Sequence, residues 1–324
     1  MTPDFKILAD TKDVTATIRG RFSSLTITDE AGQSSDAAEL RLDDRAPHIT
    51  LPRTGAKLDI AIGYRETGVA RIGIYTVDEI NLEGPPDTLA IRARAADLRK
   101  SLKSPNTRSF DNVTIGDLVA AIAAQHEFKY HVDASLADIS FAHIDQTEES
   151  DIHLLTRLAK DHGAVAKAAG DTLLFVPRGA AKSAEGKMLP AVTLTRQDLT
   201  RWRVTIADRG KYGAVIAYWH DTASGERVEV KVGDGEPVYT IRRTYPEASV
   251  AKNAASAKLS EFVCGAATLS GNGPGDSRLA AEGKLTITGV REGINGTWTL
   301  TRVTHTIDGQ GYRCGIEAES EDAA

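Results

Sequence analysis

Histidine, carboxylate and hydroxyl side chains crowd the middle of this chain, and several kinds of chemistry can be asked of them. His126, His131, His143, His153 and His162 invite a metal site, because imidazole is a common ligand and a site needs several ligands converging on one point. No HExxH or other i, i+4 histidine pair occurs among them, so scattered polar histidines are expected and no bound metal. Glu148 and Glu149 invite glycoside hydrolysis. That reaction needs two carboxyls facing each other across a bond, and neighbours at a helix start diverge. Gly179-Ala-Ala-Lys182-Ser183 ends like a phosphate loop but lacks the GxxxxGK frame. Gly271 to Gly275 fails as a dinucleotide fingerprint, since Pro274 deletes an amide and no βαβ unit surrounds it. There is no GxSxG elbow. The expectation is a protein with no catalytic residue and no cofactor.

Helix capping accounts better for the central polar residues. Ser150 can accept a free amide of a first helical turn. Glu148, Glu149 and Asp151 place negative charge at the positive end of the helix dipole. Ile152, Leu155, Leu158 and Ala159 recur at helical spacing, and Gly163 supplies the stop. The segment reads as a short amphipathic helix entered through an acidic turn.

On either side of that helix the pattern is β. Leu25 and Ile27, then Ala38, Leu40 and Leu42, alternate with polar residues and predict a hairpin with one wet face, its loop at Asp29 to Ser35. Further strands are expected at 58–62, 72–80 and 89–95. Thr114 is placed to cap a helix carrying Ile115, Leu118, Val119 and Ile122. Val165 to Val176 reads as a hairpin turning at Gly170-Asp171, and residues 178–189 as a flexible connection. β signals resume at Val192, Trp202 to Ile206, Tyr212 to His220 and Val228 to Val232. A helix is expected from Pro246 to about Val263, then a glycine-rich loop at Gly271 to Gly275 and three last strands.

A repeat links the two β regions. Lys57-Leu-Asp-Ile60 matches Lys284-Leu-Thr-Ile287, and Gly73-Ile-Tyr75-Thr76 matches Gly296-Thr-Trp298-Thr299, each followed by one more strand. Order and offset together predict a duplicated β domain. The helix after Pro246 has no counterpart in the first copy.

The totals fit this picture. The chain has 324 residues, 41% of them hydrophobic and 26% charged, enough for two or three domains with proper cores. No apolar run approaches the roughly 18 residues of a membrane span. Met1 to Lys6 lacks the features of a signal peptide, so residence in the cytosol, or exit by another route, is expected. Cys264 and Cys314 are expected to be free thiols. The net charge of −6 argues against stable nucleic-acid binding. One basic cluster stands out: Arg92, Arg94, Arg99, Lys100, Lys103 and Arg108. It reads as a solvated strand face with its loop, with docking of an acidic neighbour as the second reading.

Gln146, Glu149, Ser150, Asp151, Leu154, Leu155, Arg157, Leu158, Ala159 and Gly163-Ala164 resemble the central segment of the phage late-control protein D family. Those proteins are trimeric hubs of contractile tails, akin to the hub part of the type VI secretion spike, VgrG. The resemblance extends through Leu42-Asp-Asp-Arg45, Leu51-Pro52, Gly63-Tyr64, Gly73 to Asp78, Gly84-Pro-Pro-Asp87 and Tyr245-Pro246. It implies a mainly β fold with an α+β insert: two tail-tube-like β-barrel domains, 1–102 and 191–324, joined by a small α+β module with its linker, 103–190. It also implies a homotrimer whose six similar units meet a six-fold tail tube protein on one side and a three-fold central spike protein on the other, with tape measure and other baseplate proteins nearby. The setting would be a virion baseplate or a tailocin particle, and negative charge would suit a channel that DNA slides through. A hub-associated wall-degrading enzyme and the hub of a type VI-like injection system are the alternatives.

Overall fold

The computed structural model describes residues 1–31, 36–95, 100–169, 172–182, 188–207, 212–264 and 267–320. In the N-terminal third, alternation of apolar and polar residues produces β1 (Pro3–Ala9), β2 (Lys12–Asp13), a short α1 (Thr15–Arg19), β3 (Phe22–Glu30), β4 (Ala37–Asp43), β5 (Lys57–Tyr64), β6 (Gly68–Glu83) and β7 (Thr88–Arg94). The middle holds α2 (Lys100–Lys103), β8 (Pro105–Thr114), α3 (Ile115–Gln125), β9 (Lys129–Val132), α4 (Ala134–Ala137), β10 (Ser140–Ser150), α5 (Asp151–Asp161), β11 (Ala164–Ala169) and β12 (Thr172–Pro177). The last part runs β13 (Val192–Thr195), β14 (Arg201–Ile206), β15 (Ala214–Asp221), β16 (Glu226–Val232), β17 (Val238–Tyr245), α6 (Ala248–Cys264), β18 (Ala267–Pro274), β19 (Lys284–Thr288), β20 (Gly296–Asp308) and β21 (Gly311–Ser320). The fold is mainly β, as the pattern predicts.

The two ends of the chain share one sheet, in the order β14-β18-β21-β20-β3-β4-β7-β6-β5-β1-β2, with β19 and β13 attached beside β20. The repeat is visible as a repeat of pairing. Lys57, Leu58 and Ile60 lie opposite Thr76, Tyr75 and Gly73. Lys284, Leu285 and Ile287 lie opposite Thr299, Trp298 and Gly296. The next strand keeps the match: Val77 pairs with Ala93 before a bulge, and Leu300 pairs with Ala318 before a bulge. Backbone contacts before each bulge agree as well. Val77 bonds to Gly55 and Ala56, and Leu300 bonds to Glu282 and Gly283. Only the outermost strands differ in sense, β1 running antiparallel to β5 and β13 parallel to β19.

The segment without a counterpart is an insertion. In the first copy β3 passes to β4 through a short connection, whereas β15, β16, β17 and α6 lie between the paired β14 and β18. That insertion packs on the middle module. Leu118 and Ile122 of α3, Leu154 and Leu158 of α5, Phe175 of β12, Val215 of β15 and Ala251 and Ala255 of α6 fill one core. A separate core lies under the large sheet and draws on both copies, from Phe5, Ile27 and Tyr75 to Leu285, Trp298 and Ile316.

Two local expectations are corrected. The acidic turn before α5 lies within β10, a strand paired to β8 whose register breaks between Gln146 and Glu149, where Glu148 has a φ of +50°. The glycine-rich stretch from Gly271 lies in β18 rather than a loop. The glycines here serve close approach: a Cβ on Gly273 would stand 2.9 Å from the Asp198 carbonyl oxygen, and one on Gly275, just past the end of β18, would stand 2.1 Å from the Tyr312 ring. Composition alone suggested a turn, and packing against Tyr312 and the 198–201 backbone decided otherwise.

Candidate functional site: the central signature and the repeat motif

The signature residues surround the start of α5. Ser150 caps the helix, its Oγ accepting from the His153 amide at 3.4 Å. Asp151 is fully buried beneath it, and four side chains from three elements meet its carboxylate. Arg108 Nη2 donates at 2.6 Å, Gln146 Nε2 at 2.7 Å, His126 Nε2 lies at 2.7 Å and Asn106 Nδ2 at 3.3 Å. Arg108 also donates to Gln146 Oε1 at 2.8 Å and to Gln125 Oε1 at 2.7 Å, and Gln146 donates to the Glu149 carbonyl at 2.7 Å. Burial, the largest single influence on Asp151, pushes its pKa up. The hydrogen bonds from His126 and Gln146 and the charge of Arg108 outweigh it and hold the carboxyl below its ordinary value.

The outer part of the signature is a second clamp. Arg157 donates to Glu149 at 2.8 Å and to the Asp145 carbonyl at 3.0 Å, which ties the second turn of α5 to the end of β10. Leu155 and Leu158 face the second core. Gly163 follows the helix with a φ of +61°, the left-handed backbone that ends helices with least strain in glycine. The arrangement can hold a helix firmly on a hairpin. His126 and Asp151 form a pair of the kind hydrolases use, but His126 is only 4% exposed and bonded inward, out of reach of a substrate. Glu149, which with Glu148 lines an open hollow of about 500 Å³, is bound by Arg157. His143 sits at the surface between Asp111 and Asp145, and hydrogen bonds to those two carboxylates raise its pKa. Among the described residues no group of three or more histidines, cysteines and carboxylates is placed to hold a metal ion.

The repeat-motif residues occupy equivalent places in the large sheet. Tyr75 and Trp298 are both buried, and Trp298 donates its indole N–H to the Ile294 carbonyl at 3.0 Å. Gly73 lies against the Tyr75 ring, where a Cβ would come within 3.3 Å, and Gly296 has a φ of +142°. Lys284 Nζ donates to Thr299 Oγ1 at 3.3 Å across the strand pair that matches Lys57 and Thr76.

The basic cluster is not one surface. Arg92 pairs with Glu39 at 3.0 Å and Arg94 with Asp78 at 2.8 Å on the exposed face of the large sheet. Arg108 is turned into the Asp151 network, Lys103 is exposed at the end of α2, Lys100 begins that helix, and Arg99 lies outside the described residues. A further group escaped the sequence reading altogether. Lys167 of β11 reaches the large sheet, donating to Asp36 and the Glu30 carbonyl at 2.7 Å each and to Asp29 at 3.4 Å. No local pattern announces a contact between residues more than a hundred positions apart. The alternation of Asn106, Arg108 and Phe110 was, by contrast, an available sign that β8 turns Arg108 to one side.

With this geometry in view, comparison with known proteins is informative. A sequence model of the family described as phage tail baseplate hub (GPD) matches residues 55–311. The chain is similar to a probable baseplate hub protein of Escherichia phage P2, 32% identical over 361 residues that cover 98% of this chain and 93% of the relative. In fold it is similar to the 43 kDa tail protein of prophage MuSo2 from Shewanella oneidensis, with a TM-score of 0.75 at 16% identity and 99% of each chain covered. It is also similar in fold to an E. coli component of the type VI secretion system, with a TM-score of 0.53 at 13% identity, covering 92% of this chain and 73% of that one.

Proposed function

This chain belongs to the phage tail baseplate hub family and is a structural hub of the tail baseplate, and from that premise we propose that it works as a homotrimer that adapts the six-fold tail tube to a three-fold central spike. The observation that carries the proposal is the repeated register, in which the pairing of β5 with β6 and β7 recurs in β19 with β20 and β21. Three such chains offer six near-equivalent half-sheets, two in the shared sheet of each chain, for a six-fold match on one side with three-fold symmetry kept on the other. In this reading residues 1–102 and 191–324 carry the two ring-forming copies, with the 214–264 insertion packed on the 103–190 module. The tail tube protein, the spike protein and the tape measure are its partners.

The work lies in surfaces and not in catalysis. The signature residues Gln146, Glu149, Ser150, Asp151, Leu155, Arg157, Leu158 and Gly163 fix α5 to β10. Arg92, Arg94 and Lys103 are the outward part of the basic cluster, and an acidic neighbour would compete for Arg92 with Glu39 and for Arg94 with Asp78. Sedimentation and electron microscopy of the purified protein test the proposal: a trimer with six similar lobes is expected, and a dimer or monomer at high concentration overturns it. Clearing of peptidoglycan by the purified chain would favour a wall-degrading role instead.

A further inference from the structure

The strand edges of the large sheet that lack a strand partner among the described residues include the outer side of β14 and the Glu79–Glu83 half of β6 on the side where β5 has ended, besides the outer sides of β13 and of Pro3–Ile7 in β1. Such edges offer rows of backbone donors and acceptors that another strand can use. We propose that the outer edge of β14 in one copy of this chain pairs with Glu79–Glu83 of β6 in a second copy, in the register that β3 and β20 already use within each chain. The proposal rests on the trimer reading above and names the contact that closes the ring.

The internal joint supplies the template. β20 continues past its bulge and pairs with β3: Val303 opposite Asp29, Thr304 opposite Thr28, His305 opposite Ile27 and Thr306 opposite Thr26. The shared register converts these positions. Glu79 pairs with Arg92 after the first bulge and Arg302 with Glu317 after the second, so Glu79 to Glu83 stand where Arg302 to Thr306 stand. On the other side Ile27 pairs with Ala38, which pairs with Ala93. Val204 pairs with Leu269, which pairs with Ala318, so Val204 of β14 stands where Ile27 stands. The joint between copies therefore sets Ile80 opposite Ile206, Asn81 opposite Thr205, Leu82 opposite Val204 and Glu83 opposite Arg203.

Side-chain chemistry agrees with that register. Inside the chain His305 is 1% exposed, whereas its counterpart Leu82 is 59% exposed, and Ile206, which stands where Asp29 stands, is 55% exposed. The pairing would bury both against apolar neighbours, removing two large apolar side chains from water. Arg302 and Glu30 face each other across the internal joint at 2.7 Å. Glu83 and Arg203, both exposed, bring opposite charges to the equivalent face of the new one. The two edges are different surfaces, so the contact is head-to-tail and each chain carries one of each, as a closed ring requires.

Cysteines placed at Asn81 and Thr205 in one chain test the register. Within a chain these positions lie on strands far apart in the sheet order, so a bond between them joins two copies. Mild oxidation of N81C/T205C is expected to give covalent dimers and closed trimers on a non-reducing gel, while N81C/R203C, two residues out of register, links at less than about a tenth of that yield. E83R and R203E should each weaken trimerisation about tenfold per interface, and E83R/R203E should restore it, with circular dichroism confirming the fold of each. A trimer by sedimentation that N81C/T205C does not link, or that the shifted pair links better, overturns the edge pairing and leaves the trimer standing. A chain that stays monomeric at its highest soluble concentration overturns the trimer itself, and this joint with it.

Discussion

His305 shows how a single residue ties the fold to solution conditions. It sits at the joint between β20 and β3, with Nδ1 accepting from the Tyr312 hydroxyl at 2.8 Å and Nε2 donating to the Leu279 carbonyl at 3.2 Å. Burial holds its pKa down at about 4, against an ordinary 6.5. The folded state therefore binds this proton less readily than the unfolded chain. Its stabilising contribution is fully present above about pH 6.5 and is lost as pH falls toward 4, a change of about 3 kcal/mol. Asp36 runs the other way, its carboxyl pushed up by burial and by Asp29 beside it, so the raw pH profile mixes the two. The informative measurement is the difference in urea stability between the parent chain and His305→Gln, which should rise by about 3 kcal/mol in the parent's favour from pH 4 to 7, while the slope due to Asp36 remains in both chains and cancels. At Asp151 a second residue-scale outcome is expected. Asp151→Asn leaves Arg108 and His126 without their anion and should cost about 3 kcal/mol, whereas Arg157→Ala at the more exposed clamp should cost only about 1 kcal/mol. Equal costs in thermal unfolding would deny that the buried carboxylate organises the network.

Among the elements, legibility followed the range of the contacts. Ser150 and Gly163 bracket α5, and Thr114 with Asp117 forms a capping box at α3, because caps involve neighbours in sequence. The paired motifs around Gly73 and Gly296 could be read because each is a hairpin whose register is written in its own residues. The network at Asp151 could not, since its partners come from β8, α3 and β10. Nor could the placement of β15 to β17 and α6, because an insertion between two paired strands looks in sequence like more of the same domain. The glycines in and just after β18 misled for a related reason: the smallness of Gly273 answers to Asp198 and that of Gly275 to Tyr312, both distant in sequence. Gly275→Ala should accordingly destabilise by about 2 kcal/mol through displacement of that ring. Gly20→Ala, where a Cβ meets nothing within 4 Å, should be nearly neutral. Comparable thermal shifts in the two variants would show that the close approach is not what the glycine serves.

For the whole molecule, the question is what makes two cores behave as one hub. One core lies under the large sheet and joins both copies of the repeat, and the other binds the middle module to the inserted strands and α6. Lys167 is one place where they meet, beside Arg178 on Glu319 and Gly179 on Glu282: its chain emerges from β11, and its ammonium lies among Asp29, Asp36 and the Glu30 carbonyl at the end of the β3–β4 hairpin. Asp29 in turn accepts from the Ala281 amide at 2.8 Å, so the same carboxylate touches the second copy. Burial works against the lysine charge, but Asp36 and Asp29 outweigh it and hold its pKa above the ordinary value. Removing the cation alone leaves two carboxylates side by side with little water, so Lys167→Met should cost about 3 kcal/mol in urea unfolding. Adding Asp36→Asn removes one of the stranded charges, and the double variant should recover at least about 1 kcal/mol of that loss. Amide exchange should show the lost protection in β3, β4 and β11 together, since all three depend on the one cation. Loss confined to β11, or a double variant weaker than Lys167→Met, would mean that the two cores are held together elsewhere and that this triad merely decorates their contact.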